Sequence, residues 1–185
     1  LRGSFMLRPQ EIQWFYQSGA NAIFPDAWEG YLAPIPEAEQ SDLVSAYYQR
    51  LTSTDAATRQ AAAKAWSIWE ASTSKLIPDA DLMERFGEGS FADAFARIEC
   101  HYFINGGFFD NPNQLVENVD AIRNILTVIV QGRYDVVCPM TSAWDLHRAW
   151  PEAELVVIED AGHSATEPGI TSALIEATDR FASLA

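Results

Sequence analysis

Two short apolar runs rich in β-branched residues, Leu126-Thr127-Val128-Ile129-Val130 and Leu155-Val156-Val157-Ile158, constrain this chain more than any other feature. Neither alternates with polar residues, so each predicts a strand covered on both faces, and such strands belong to parallel sheets. A helical pattern follows each run. The first spans Met140 to Trp150 and is ended by Pro151; the second is opened by Pro168 and carries Ile170, Leu174, Ile175 and Phe181. Parallel strands alternating with helices predict an α/β architecture whose chemistry gathers at the carboxyl ends of the strands.

The residues before about Asn105 have a different texture, mainly helical. Pro9 suits the first turn of a helix running through Ile12, Phe15 and Tyr16 to a stop near Gly19. The stretch from Pro25 to Ile35 reads as broken by prolines. Ser41 or Asp42 can cap a helix bearing Leu43, Val44, Tyr47, Tyr48 and Leu51, and Asp55 can cap the longest one, which leads from Ala56 to Trp66, Trp69 and Glu70. Another starts near Ser90, with Phe91, Phe95, Ile98 and Tyr102 at helical spacing. Turn formers from Gly106 to Asn113 separate the two textures. Residues 1–8 are expected to end a core strand and enter a loop, which implies sequence upstream; 9–118 form a helical domain and 119–185 the closing part of an α/β core.

Composition supports a folded chain and removes some functions. Of 185 residues, 48% are hydrophobic, with six Trp, ten Phe and six Tyr, enough for a sizeable core. The net charge of −14 comes with no basic stripe, so nucleic acid is not an expected partner. No apolar run approaches the roughly 18 residues of a spanning helix, so a membrane is not expected either. Two cysteines, Cys100 and Cys138, fit reduced thiols in a cytoplasmic protein.

Chemistry concentrates directly after the two strands. Gln131-Gly132-Arg133-Tyr134-Asp135 follows the first, and Glu159-Asp160-Ala161-Gly162-His163 follows the second. Asp135 and His163 therefore leave adjacent strands at the same edge, where a carboxylate can orient an imidazole as general base. Alone, a loop Asp is more often a turn former and a loop His an ordinary surface residue. Together, in this order, they match the last two members of the Ser, Asp, His order of α/β-hydrolases. His101, in a helix beside Tyr102, and His147, on the outer side of the 140–150 helix, carry no such pattern. None of the ten glycines begins a Gly-x-Ser-x-Gly elbow, so the nucleophile is expected outside this chain, with the N-terminal half of the sheet. No His-Glu-x-x-His or similar spacing implies a metal, and no cofactor is expected.

The chain resembles the proline iminopeptidases, α/β-hydrolases that remove an N-terminal proline from peptides. The matching segments are Leu1-Arg2-Gly3, Trp14-Phe15-Tyr16-Gln17-Ser18-Gly19-Ala20, Phe24-Pro25-Asp26-Ala27-Trp28, Ala65-Trp66-Ser67-Ile68-Trp69-Glu70, Ile98-Glu99-Cys100-His101-Tyr102-Phe103, Gln131-Gly132-Arg133-Tyr134-Asp135-Val136-Val137-Cys138-Pro139 and Ala161-Gly162-His163-Ser164-Ala165. The resemblance implies that the helical part is a cap and that Glu70 and Glu99 hold the substrate's free ammonium. It also puts Phe5, Tyr16, Phe103 and Cys138 near a small pocket for the proline ring. The residues agree in one respect: Glu99 has Phe95 and Phe103 four positions away on either side, and Glu70 has Trp66 four before it, so each acid projects beside an aromatic ring. Rival readings are another capped α/β-hydrolase, an esterase or an epoxide hydrolase, and a non-catalytic fragment that binds its missing half or associates with itself.

Overall fold

The computed structural model describes residues 1–184 and realises the two apolar runs as a parallel pair, β1 (Val128–Gly132) and β2 (Glu154–Ile158). The register sets Val128 opposite Glu154 and Gly132 opposite Ile158. On the other side of β1, Arg2 forms a parallel bridge with Val130, and the Val130 N–H donates to the Leu1 carbonyl at 2.8 Å. Both faces of the pair are covered. Ile129 packs with Ala143, Trp150 and Leu155 against helix α7 (Met140–Ala149), whereas Val128, Val130, Val156 and Ile158 pack with Ile170, Ala173 and Leu174 of helix α8 (Pro168–Ala182). The β-branched runs are continuous because alternate residues meet opposite helical layers.

β1 begins two residues later than the apolar run. Leu126 is 67% exposed, and pairing starts where the Thr127 carbonyl accepts the Glu154 N–H at 3.0 Å. It then continues to Gly132, whose missing side chain is required: a Cβ there would lie 1.9 Å from the Gly162 carbonyl oxygen. That close approach brings together the loops that leave β1 and β2.

The chain divides into two compact units. The sheet unit holds Leu1–Met6, Ser74–Ile77 and the residues from Asn111 onward; the helical unit holds Leu7–Thr73 and Pro78–Asp110. Thus the short segment 74–77 groups with the sheet, not with the helices that flank it in sequence.

The helical unit comprises α1 (Pro9–Tyr16), α2 (Pro25–Leu32), α3 (Leu43–Leu51), α4 (Ala56–Thr73), α5 (Ala80–Phe86) and α6 (Gly89–Ile104). Asp42 and Asp55 cap α3 and α4, accepting the Ser45 and Thr58 N–H groups at 3.1 and 2.9 Å. The stretch read as broken by prolines is helical from Pro25 to Leu32. Pro25 occupies the first turn, where a missing N–H costs nothing, and Pro34 and Pro36 lie beyond the helix end. This helix buries Trp28 and Tyr31 in an aromatic core with Phe15, Tyr16, Tyr47, Trp66 and Trp69. Tyr31 stacks on Tyr47 with ring centroids 4.7 Å apart, and Trp28 meets Trp69 edge-on at 5.0 Å. Buried polar tips are satisfied: the Trp69 indole N–H donates to the Phe15 carbonyl at 3.2 Å, and the Tyr47 hydroxyl donates to the Tyr31 carbonyl.

Candidate active site

In the sheet unit the loops after β1 and β2 place His163 Nδ1 3.0 Å from Asp135 Oδ2. Asp135 is buried, at 6% exposure, and every oxygen it presents is engaged: Oδ1 accepts the Cys138 N–H at 2.7 Å, while Oδ2 also accepts the Gln131 side-chain amide at 3.1 Å. Three donors on one carboxylate fix its orientation. With Nδ1 turned to Asp135, the imidazole keeps Nε2 for proton transfer.

The His163 backbone is held just as firmly. The His163 and Ser164 N–H groups both donate to the Ser74 carbonyl, at 2.9 and 2.8 Å, and the Arg2 guanidinium donates to the His163 carbonyl. Glu167, buried at 8% exposure, accepts the Gly162 N–H at 2.9 Å and the Leu76 N–H at 3.3 Å, tying the histidine loop to segment 74–77. Gly3 adopts φ +57°, and a Cβ on it would lie 2.9 Å from His163 Cε1. Tyr134 N–H to the Ala161 carbonyl, at 3.0 Å, and a two-point contact of Arg133 with Glu159, at 2.8 and 2.9 Å, join the two loops at the surface.

Cys138 is buried beside this pair, and Asp135, Cys138 and His163 each offer a possible ligand atom within 4.8 Å of the others. Asp135 already serves three N–H donors and His163 Nδ1 one acceptor, so the cluster is organised by hydrogen bonds. Phe5, half-buried, follows Gly3 by two residues in the same unit.

In the helical unit Glu70, Glu99, Tyr16 and Phe103 come together around Trp66. The Tyr16 hydroxyl donates to Glu70, and the Trp66 indole N–H donates to Glu99 Oε2 at 2.9 Å. The two donor rings are themselves stacked, with centroids 4.4 Å apart and planes 18° from parallel, and Phe103 covers both at 4.9 and 6.1 Å. Two acids are thus fastened to one aromatic platform. Burial pushes the Glu99 carboxyl up to about 7 against the opposing pull of the Trp66 N–H. Burial, and then the charges of Glu70 and Glu99, push the Tyr16 hydroxyl well above its ordinary value, so it remains a donor. Cys100, wholly buried, is raised to about 12 by burial and by Glu99.

Phe95 packs on Phe86 and Phe91, at 5.4 and 5.5 Å. Glu70 accepts from the Tyr16 hydroxyl, whereas the Trp66 N–H is directed to Glu99. His101 is exposed and packs on Phe108 at 5.4 Å. His147 is half-buried, not external, with Nδ1 2.9 Å from the Ala153 carbonyl.

Comparison with known proteins agrees with this geometry. A profile described as "alpha/beta hydrolase fold" matches residues 17–169. A "Probable proline iminopeptidase" of Leptolyngbya boryana is 67% identical over 181 residues, covering 98% of this chain and 56% of that protein. The chain belongs to the α/β-hydrolases, in the proline iminopeptidase family. Family members named proline iminopeptidase in Xanthomonas citri and Arabidopsis thaliana are 58% and 55% identical, covering 98% and 100% of this chain and 58% and 49% of those proteins. The chain therefore spans about half the length of these proline iminopeptidases. Gln131, Ser74 and Glu167 are the site-building residues that sequence patterns did not single out; a glutamine at the end of an otherwise apolar strand was the one available signal.

Proposed function

We propose that this chain carries the acid, the base and the ammonium-recognition residues of a serine exopeptidase that releases N-terminal proline from peptides. The observation that carries the reading is the Asp135–His163 hydrogen bond at 3.0 Å on adjacent loops of a parallel sheet. Asp135 orients His163, whose Nε2 takes the proton of a serine as it attacks the scissile carbonyl and returns it to the leaving amine. The serine and its oxyanion donors come from outside these 185 residues. Residues 1–8 end a core strand, 9–118 form the recognition domain and 119–185 close the catalytic core. In the recognition domain Glu70 and Glu99 accept charge-assisted hydrogen bonds from the substrate's ammonium. Phe103 and Tyr16 supply apolar surface for the proline ring there, and Phe5 and Cys138 of the sheet unit are substrate-contact candidates on the resemblance alone.

Support for the substrate class comes from relatives 55–67% identical to this chain that are named proline iminopeptidase or probable proline iminopeptidase. No helix among the described residues is long and apolar enough to cross a membrane. Buried thiols at Cys100 and Cys138 support a cytoplasmic setting.

The test is a chimera in which this chain replaces the matched region of the L. boryana relative. The chimera should release p-nitroaniline from proline-p-nitroanilide, and the 185 residues alone should not exceed the buffer rate, lacking the oxyanion donors that supply much of the acceleration. A chimera that cleaves simple esters but no prolyl amide would assign it to the esterases. One that opens epoxides without a serine would point to an epoxide hydrolase.

A further inference from the structure

We infer that Gln131 is a positioning residue for the Asp135–His163 pair, its side-chain amide locking Asp135 in the orientation that receives the imidazole. This rests on the reading of Asp135 and His163 as an acid–base pair. Gln131 is the polar member of β1 and is only 1% exposed, although its neighbours Val128, Ile129 and Val130 are apolar core residues. A buried amide is costly unless it is bonded, so its presence there needs a reason.

The reason is geometric. Gln131 Nε2 lies 3.1 Å from Asp135 Oδ2 and 2.9 Å from the Cys138 carbonyl oxygen. Both neighbours are acceptors. Only the NH2 end of the amide can face them; its protons serve these two oxygens and, more weakly, the Gly132 carbonyl at 3.4 Å, and Oε1 is left buried without a hydrogen-bond partner. Asp135 is then gripped from three directions: the Cys138 N–H on Oδ1, the Gln131 N–H on Oδ2, and the His163 ring on Oδ2. Without Gln131, Oδ2 is held by the His163 ring alone, with the Cys138 N–H on Oδ1, and the Asp135 loop loses its tie to β1 through Cys138. Other polar or titratable groups against His163 are the Cys138 thiol, near its ring, and the Arg2 guanidinium, which binds the backbone carbonyl.

The test uses the 185-residue chain and needs no turnover. Nitrogen-15 NMR of the His163 ring reports the ratio of the two neutral tautomers. In wild type, Asp135 should favour the tautomer with its proton on Nδ1. Gln131→Met, which keeps the shape and removes the donor, should shift that ratio toward the Nε2 tautomer by about tenfold, equivalent to about 1.4 kcal/mol. In an Asp135→Asn background the same substitution should change the ratio less than about twofold. An unchanged ratio in the single variant, or an equal shift in the Asn background, would overturn the inference. Should Gln131→Met fail to fold, the wild-type Gln131 side-chain NH2 resonances decide. They should move with the protonation of His163, and resonances that stay still would contradict the proposal. Loss of the prolyl-peptidase reading would appear instead as inactivity of the chimera, with the tautomer result untouched.

Discussion

His163 Nδ1 and Asp135 Oδ2 stand 3.0 Å apart, on loops that Gly132 and Gly162 allow to approach within backbone contact. The carboxylate accepts and cannot donate in this arrangement, so it selects one tautomer of the ring. Asparagine at position 135 would present an N–H of its own and favour the wrong tautomer. In the chimera, Asp135→Asn should lower kcat toward proline-p-nitroanilide by about four powers of ten while thermal unfolding stays close to that of wild type. A change within tenfold would remove Asp135 from the catalytic machinery.

Glu99 should matter for substrates that carry a free amine. Glu99→Gln keeps the acceptor for the Trp66 N–H and removes the charge, and a hydrogen bond to a charged group contributes roughly 1.5 to 3 kcal/mol. kcat/KM for an N-terminal proline substrate should fall by about one to two powers of ten. An uncharged ester cleaved by the same chimera should keep its rate, and equal losses on both substrates would make Glu99 a support of the fold.

The same carboxyl links stability to pH. Its folded value of about 7 lies above the ordinary glutamate value of about 4.3, so between these limits the folded chain keeps a proton that the unfolded chain has lost. Glu99's contribution is therefore fully present below about pH 4.3 and is lost as pH rises through 7, by on the order of 3 kcal/mol at most. Urea unfolding of wild type minus Glu99→Gln, measured from pH 4 to 8, should show that decline. A flat difference curve would mean that Glu99 ionises as readily folded as unfolded.

Glu167 anchors the loop rather than the ring. Its carboxylate accepts the N–H groups of Gly162 and Leu76, so Glu167→Ala should destabilise the chain by roughly 2 to 3 kcal/mol. Hydrogen exchange at Gly162 should accelerate more than exchange at Val130 in the core of β1. Uniform acceleration at both amides would show a global effect instead of a local anchor.

Legibility in the sequence followed the range of each interaction. The strands were readable because burial on both faces leaves a local mark, and Asp135 and His163 because their place directly after those strands fixes where they emerge. The start of β1 was not, since Leu126 is as apolar as Val128 and only the pairing with β2 separates them. The crossed attachment of Glu70 to Tyr16 and of Glu99 to Trp66 joins residues 54 and 33 positions apart. Spacing on a single helix marked Phe95 and Phe103 beside Glu99, and it could not show that Phe95 also meets Phe86 of α5. Glu167 showed no signal because an acid at a helix start is commonplace until its backbone partners are known.

His163 is proposed as the general base of the proline-releasing reaction, and steady-state kinetics of His163→Ala in the chimera, with proline-p-nitroanilide as substrate, test that role. The kcat should fall by at least about four powers of ten, with KM changed by less than about tenfold, because the ring acts on the transition state and not on substrate binding. A kcat within tenfold of wild type would contradict it.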